Sequence, residues 1–306
     1  MTTTKSSSPI VVIVCGPTAA GKTSVGVQIA KVFNGEVISA DSRQFYKEMS
    51  VGTARPTEKE MDGVAHHFVA SHSVASPLTA GEFERQAEIA VKEILERKKF
   101  PIIVGGSGLF IKALVEGLDD LPASEELRSK LIDQFETEGI ESLYNRLVNS
   151  DPKAKSQIDF KNPVRVMRAI ELVELTKKPL AEIRANRKLK KRFDPIWIGI
   201  NSPRDELYDR IDHRVDQMLK EGLEEEAKSL QSFQNSDALK TVGYQELFSY
   251  FNGEYDREEA IRLIKRNSRR YAKRQLTWFN KIEGINWFEA KEIAQIIKYL
   301  NQELKP

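Results

Sequence analysis

The sequence predicts an α/β protein in which a parallel sheet flanked by helices is interrupted by an inserted all-helical domain. Two observations lead there. Short aliphatic runs alternate with segments of helical periodicity toward both ends of the chain, the pattern of β-α-β crossovers. Between residues 119 and 195 the strand-like runs stop and only helical periodicity continues. At 306 residues the chain also exceeds what one hydrophobic core usually serves, which favours two units. The expected division is a core of residues 1–118 with 196–306, and an insert of residues 119–195.

Residues 10–15 form a continuous β-branched run ending at Gly16, which reads as a strand buried on both faces. Residues 24–33 follow with Val25, Ile29, Val32 and Phe33 at helical spacing. A second strand is expected over 36–40, ending at Asp41, and a third over 101–104, ending at Gly105 and Gly106; between them 81–98 is helical through Phe83, Ala87, Val91 and Leu95. The insert should hold helices at 125–138, 140–149 and 163–176, punctuated by Pro122, Pro152 and Pro179. Residues 196–200 return as a strand, followed by helices near 204–221, 223–232 and 257–281 and a late strand near 285–288.

Composition narrows the class. With 40% hydrophobic and 30% charged residues the chain can build a packed core, which excludes a disordered or fibrous protein. Its longest aliphatic run is far short of the ~20 residues that cross a bilayer, so no membrane span is expected. The first eight residues lack the apolar region of a secretory signal and the arginines of a transit peptide. The lone Cys15 cannot make an internal disulfide, and a cytoplasmic location is expected. The net charge of +2 hides two basic segments, +8 over residues 161–192 and +7 over 262–274. One such run is as often a solvated helix face as a site; two favour a polyanionic partner.

Gly16-Pro17-Thr18-Ala19-Ala20-Gly21-Lys22-Thr23 fits the phosphate-loop pattern, and with a strand before it and a helix after it the core reads as P-loop NTPase-like. Glycines let the backbone approach a phosphate, amides at the helix start point inward, and Lys22 adds a point charge. The Thr23 hydroxyl is the expected magnesium ligand. Asp41-Ser42-Arg43-Gln44 begins at the carboxyl end of the second strand, where a carboxylate could accept a proton or merely cap a turn. Ser107 in Val104-Gly105-Gly106-Ser107-Gly108 reads most simply as a helix cap. Arg210 and Arg214, four apart, share a helix face and suit phosphate oxygens, although such pairs are commonly solvated. The adjacent His66 and His67 have no companion at metal-ligand spacing. Arg262, Lys265, Arg266, Arg269 and Lys273 share a helical face suited to a phosphate backbone.

Taken together, GPTAAGKT, ISADSRQFYKEMSVGTARPT, IIVGGSGLF, NPVRVMRAIELVELT, RIDHRVDQML, TVGYQEL and RRYAKRQLTWF resemble the tRNA dimethylallyltransferases (tRNA isopentenyltransferases), in that family's order from Gly16 to Phe279. The resemblance implies transfer of a prenyl group from dimethylallyl diphosphate to the exocyclic amine of the adenosine 3′-adjacent to the anticodon, releasing diphosphate. It implies that Asp41 is the general base and that Gly16, Pro17, Thr18, Ala19, Ala20, Gly21, Lys22, Thr23 and Arg214 hold the diphosphate with magnesium. Asp41, Thr23 and Arg214 would be the catalytic group. By the same matching Asp41, Ser42, Arg43, Gln44, Ser107, Arg128, Arg165 and Arg168 would meet the tRNA, whose anticodon stem-loop is the expected partner of a monomer. Ser107 stands for a more usual Thr, Phe110 for a common Tyr, Arg43 for an often apolar residue and Lys177 for a common Gly. The rival readings are an isopentenyltransferase of free adenine nucleotides, which needs neither the long insert nor the two basic segments; a small-molecule kinase, which would need an acceptor pocket and commonly an arginine-rich lid; and a non-catalytic RNA-binding protein, which has no use for GPTAAGKT.

Overall fold

A computed structural model describes residues 8–118, 121–185 and 192–304. Residues 1–7 and the stretch 186–191 of the first basic segment lie outside them. In order, the chain forms β1 (Ile10–Cys15), α1 (Lys22–Val32), β2 (Gly35–Ser39), α2 (Glu58–Met61), β3 (His66–His67), α3 (Ala80–Glu96), β4 (Phe100–Gly105), α4 (Gly108–Glu116), α5 (Glu125–Ser150), α6 (Pro163–Thr176), α7 (Leu180–Ala185), β5 (Asp194–Ile200), α8 (Arg204–Lys220), α9 (Leu223–Ser229), α10 (Tyr244–Phe251), α11 (Arg257–Phe279), β6 (Asn286–Phe288) and α12 (Ile293–Glu303).

Six strands make one sheet in the order β3-β2-β4-β1-β5-β6, every pairing parallel. The register sets Val14 beside Val104 on one side and Ile198 on the other, so β1 is central and needs apolar residues on both faces. On one face Val11, Ile13, Ile38 and Ile103 pack with Phe83 and Ile94 of α3 and Leu114 of α4. On the other Val12, Val14, Ile102 and Ile198 pack with Val25 and Ile29 of α1 and Ile296 and Leu300 of α12. From β1 the chain leaves to reach β2 on one side, and from β4 it reaches β5 on the other. The carboxyl ends of β1 and β4 therefore border a topological switch point, where open α/β sheets bind ligands.

The chain divides into two compact units, residues 1–117 with 191–306, and residues 118–190. The second unit is helical and has its own core of Leu131, Leu143, Leu147, Val166, Ile170 and Leu180. The expected boundary at 195/196 is corrected: β5 begins at Asp194, paired with Ile10, so residues 194 and 195 belong to the sheet. The helices expected at 125–138 and 140–149 join into α5 across a kink at Gly139, whose φ of 79° breaks the helix that glycine alone tolerates there. The two-residue β3 and the short helices α2, α7 and α10 had no expectation, and neither did α12, although Ile293, Ile296, Ile297 and Leu300 stand there at helical spacing.

Candidate functional site

The loop after β1 is shaped for a phosphate. Gly16 has φ 140°, and a Cβ there would lie 2.1 Å from the Ile200 carbonyl oxygen, so no side chain fits. Ala19 and Gly21 adopt left-handed φ values of 60° and 93°, which curl the backbone into a concavity. The helix α1 then opens at Lys22 with first-turn amides that have no intrahelical acceptor. Lys22 Nζ donates to the Pro17 carbonyl at 2.6 Å across the loop. Burial lowers the Lys22 pKa to about 8, with Arg214 acting in the same direction and Asp41 opposing. An ammonium so poised binds an anion more readily than one already paired.

Two cavities meet here. The wider, about 800 Å³, is lined by Thr18, Lys22, Thr23, Asp41, Glu60, Arg210 and Arg214. The narrower, about 90 Å³, is lined by apolar Ile211, Val215, Leu223, Val242 and Ile264 with Tyr271. Thr18, Ala19, Asp41, Arg214 and Met218 belong to both walls. Asp41 and Arg214, chosen from opposite halves of the sequence, are thus brought to one boundary.

Asp41 does cap a turn, its Oδ1 accepting the Arg43 N–H at 3.1 Å, and it also lines both cavities. Burial lowers the pKa of the half-buried Arg214, opposed by Asp41 and Glu60; its Nη2 donates to the Thr53 carbonyl at 3.2 Å. Arg210, four residues earlier, is exposed and tied to Ser202, although it lines the wider cavity. Ser107 occupies the N-cap position of α4, but its side chain makes no cap bond. Instead Oγ accepts the Ser42 N–H at 2.9 Å and donates to Ser42 Oγ at 3.0 Å, fixing the loop after β2 to the loop after β4. That corrects the reading of Ser107 as a simple helix cap. Arg43 has its guanidinium on the carbonyls of Asp237 and Ala238 at 2.7 and 2.8 Å, a structural tie in addition to any contact with RNA. The Gln44 amide lies near the carbonyls of Thr53 and Ala54. Phe110 packs against Phe45 and Phe83, ring centroids 5.5 and 5.3 Å away, which suits a ring without a hydroxyl.

Tyr271 was not among the expected site residues. Burial, and next the charge of Asp41, raise its pKa to about 12, so it remains a neutral donor on the wall of the inner cavity. In sequence it reads only as an apolar position within a basic helix.

The basic face of α11 is less uniform than its spacing implies. Arg269 binds Asp212 at 2.5 Å, Lys265 binds Asp216 at 2.6 Å, and Arg262 binds Glu259 at 2.5 Å. Arg270, Lys273, Arg274 and Thr277 instead line an open groove. In the helical unit, Arg165 is exposed on α6. Arg168 and Arg128 both reach Glu171, at 2.5 and 3.4 Å, and that carboxylate also accepts the Ser124 N–H at 2.9 Å.

Among the described residues no group of three His, Cys, Asp or Glu could hold a metal. His67 Nε2 instead lies at hydrogen-bond distance, 2.7 Å, from a Glu36 carboxylate oxygen. Thr23, at the start of α1 and on the cleft wall, still fits one-point ligation of a hard cation carried in with a diphosphate.

The model of the IPP transferase family matches residues 44–282. A tRNA dimethylallyltransferase of Cytophaga hutchinsonii is 49% identical over 96% of this chain and 97% of its own length. One from Christiangramia forsetii is 45% identical over 95% and 97%. Among solved structures, the full-length tRNA isopentenylpyrophosphate transferase of Bacillus halodurans superposes with TM-score 0.73 at 39% identity, covering 97% of each chain. A eukaryotic dimethylallyltransferase captured acting on tRNA superposes with TM-score 0.80 at 27% identity, over 97% of this chain and 77% of its own.

Proposed function

Because the chain belongs to the IPP transferase family of tRNA dimethylallyltransferases, we propose that it joins dimethylallyl diphosphate to the exocyclic amine of the adenosine 3′-adjacent to the tRNA anticodon. The observation that supports this most is the shared wall of the two cavities, where Asp41 and Arg214 face both the phosphate loop and the apolar recess. The diphosphate lies in the wider cleft against the loop amides, Lys22 and Arg214. The five-carbon tail turns toward Ile211, Val215, Leu223 and Ile264, away from water.

The amine nitrogen attacks C1 of the dimethylallyl group as the C1–O bond breaks, and that electron pair leaves on the diphosphate oxygen. Lys22, Arg214 and the loop amides oppose the charge that accumulates there. Asp41 takes the proton released from nitrogen. Magnesium bound at the Thr23 hydroxyl would supply further charge neutralisation on the diphosphate. To reach this wall the adenine must leave the anticodon-loop stack, which costs less than unpairing a duplex base. Ser42, Gln44 and Ser107 line its approach, while Arg128, Arg165 and Arg168 of the helical unit and the α11 groove hold RNA phosphates.

tRNA as substrate supports a cytoplasmic location. Among the described residues no helix is long and apolar enough to cross a membrane. Mass spectrometry of tRNA nucleosides after reaction with purified protein tests the reading. Prenylated adenosine in tRNA, with labelled dimethylallyl diphosphate and not ATP as donor, is expected; modification of AMP in preference to tRNA would move the protein to the free-nucleotide transferases.

A further inference from the structure

Gln275 lies on α11 one turn beyond Tyr271 and is only 6% exposed. Its Oε1 accepts the Thr18 N–H at 2.8 Å, and its Nε2 donates to the Gly106 carbonyl at 3.0 Å. The first partner belongs to the phosphate loop and the second to the loop that leaves β4. A Cβ on Gly106 would come within 2.2 Å of Nε2, so the second loop rests directly against the amide. A backbone donor on one side and a backbone acceptor on the other can be met together by a primary amide of this length. A carboxylate offers no donor to Gly106, a hydrocarbon serves neither, and Asn is a methylene too short to span both.

The two loops carry different halves of the proposed reaction. Thr18 leads into the amides and Lys22 of the diphosphate grip. Gly106 leads into Ser107, whose hydroxyl holds the Ser42 N–H beside Asp41. We propose that Gln275 is a positioning residue that fixes the distance between leaving group and proton acceptor by clamping the two loops from α11. The proposal rests on the prenyl-transfer reading above. Reactions accelerated by orientation lose about 10²-fold for a misplacement of about 1 Å, so a slackened clamp reads out chiefly in turnover.

The test compares Gln275→Leu and Gln275→Glu with the wild type, each checked by circular dichroism and thermal melting. In Gln275→Leu, kcat at saturating tRNA should fall about 10²-fold and inorganic pyrophosphate should bind several-fold more weakly by calorimetry, while KM for tRNA stays within about twofold. In Gln275→Glu the donor to Gly106 returns only when the carboxyl is protonated. Its rate relative to wild type should therefore climb as pH is lowered from about 8 to about 5.5, a dependence that mere packing would not produce. A folded Gln275→Leu variant with wild-type kcat and pyrophosphate affinity overturns the clamp. Should that variant fail to fold, a flat Gln275→Glu to wild-type ratio across the pH range overturns it instead. Were the wild type itself inactive on tRNA, the functional reading would fall, and the pyrophosphate affinities would still decide the clamp.

Discussion

Glu36 and Asp41 stand five residues apart at opposite ends of one strand, β2, and they are treated in opposite ways. Glu36 is buried and ringed by Arg97, Lys99 and His67 at 2.8, 3.0 and 2.7 Å. Burial alone would raise its pKa, but the hydrogen bonds from Arg97, His67 and Lys99 and the charge of Arg97 outweigh it and hold the carboxyl at about 2. Asp41 has no ion pair within 4.0 Å among the described residues, and Lys22 and Arg214 face the same cleft. At the amino end of the sheet charge is cancelled where it stands, which ties β2, β3, β4 and α3 together. At the carboxyl end charges are held apart around a cavity, which leaves them for a ligand. The same contrast recurs on α11, where Arg269 is committed to Asp212 while Arg270, Lys273 and Arg274 face a groove.

The sharpest way to break this contrast is Asp41→Asn, which keeps shape and removes the proton acceptor. Single-turnover prenyl transfer should drop by about 10²-fold or more, with the melting temperature nearly unchanged. Near-normal chemistry would leave Asp41 only its turn-capping bond to Arg43.

A second experiment follows the uncommitted ammonium. Because burial sets Lys22 at about 8 in the free protein, its charge is lost as pH rises through that value. Affinity for inorganic pyrophosphate should then fall by roughly tenfold per pH unit above it, opposite to the trend expected from further ionisation of pyrophosphate. Lys22→Met should weaken binding and abolish the inflection; an inflection that persists in the variant assigns the titration elsewhere.

On α11, changing Arg270, Lys273 and Arg274 together to Gln should weaken all tRNAs about equally and flatten the salt dependence of log affinity by roughly 0.7 to 0.9 per lost contact. Arg269→Gln should alter that slope far less, since Arg269 already has a carboxylate. Equal slopes for the two sets would erase the distinction between committed and open charges on this helix.

The smallest effect on turnover is expected at Glu36. Glu36→Gln should leave the rate unchanged and lower stability by about 2 kcal/mol, allowing for the partial exposure of its cationic partners. Since the folded pKa lies below the unfolded one, the carboxylate stabilises the wild type above about pH 4.5, and that contribution disappears as pH falls to about 2. Denaturation of both proteins at pH 7 and pH 3 measures it: the gap should narrow at the lower pH.

What could be read from sequence and what could not divides by chain separation. β1, the phosphate loop and α1 were legible because strand, glycines and helix are contiguous, and Asp41 because it follows a strand directly. The sheet order was not, since it depends on pairings between strands far apart, such as β1 with β5. The Gln275 bond to Thr18 spans 257 residues, and along α11 the density of Lys and Arg hides the polar and aromatic side chains that serve the core. Ser107 was legible as a helix start, yet its hydroxyl serves Ser42, 65 residues away. Periodicity likewise located the basic face of α11 without revealing which of its charges meet the acids of α8.

Cys15, at the end of β1, is fully buried, and burial pushes its thiol up to about 12. Alkylating and oxidising reagents act on thiolates they can reach, so in the native protein this sulfur should be chemically silent. That makes the wild type a ready background for site-directed labelling. A cysteine substituted at Thr277, beside the α11 groove, would be the one readily modified thiol, and a dye placed there could report the arrival of RNA without prior removal of the native cysteine. Cys15 would become visible to the same reagents only when the sheet opens, giving an internal signal of unfolding.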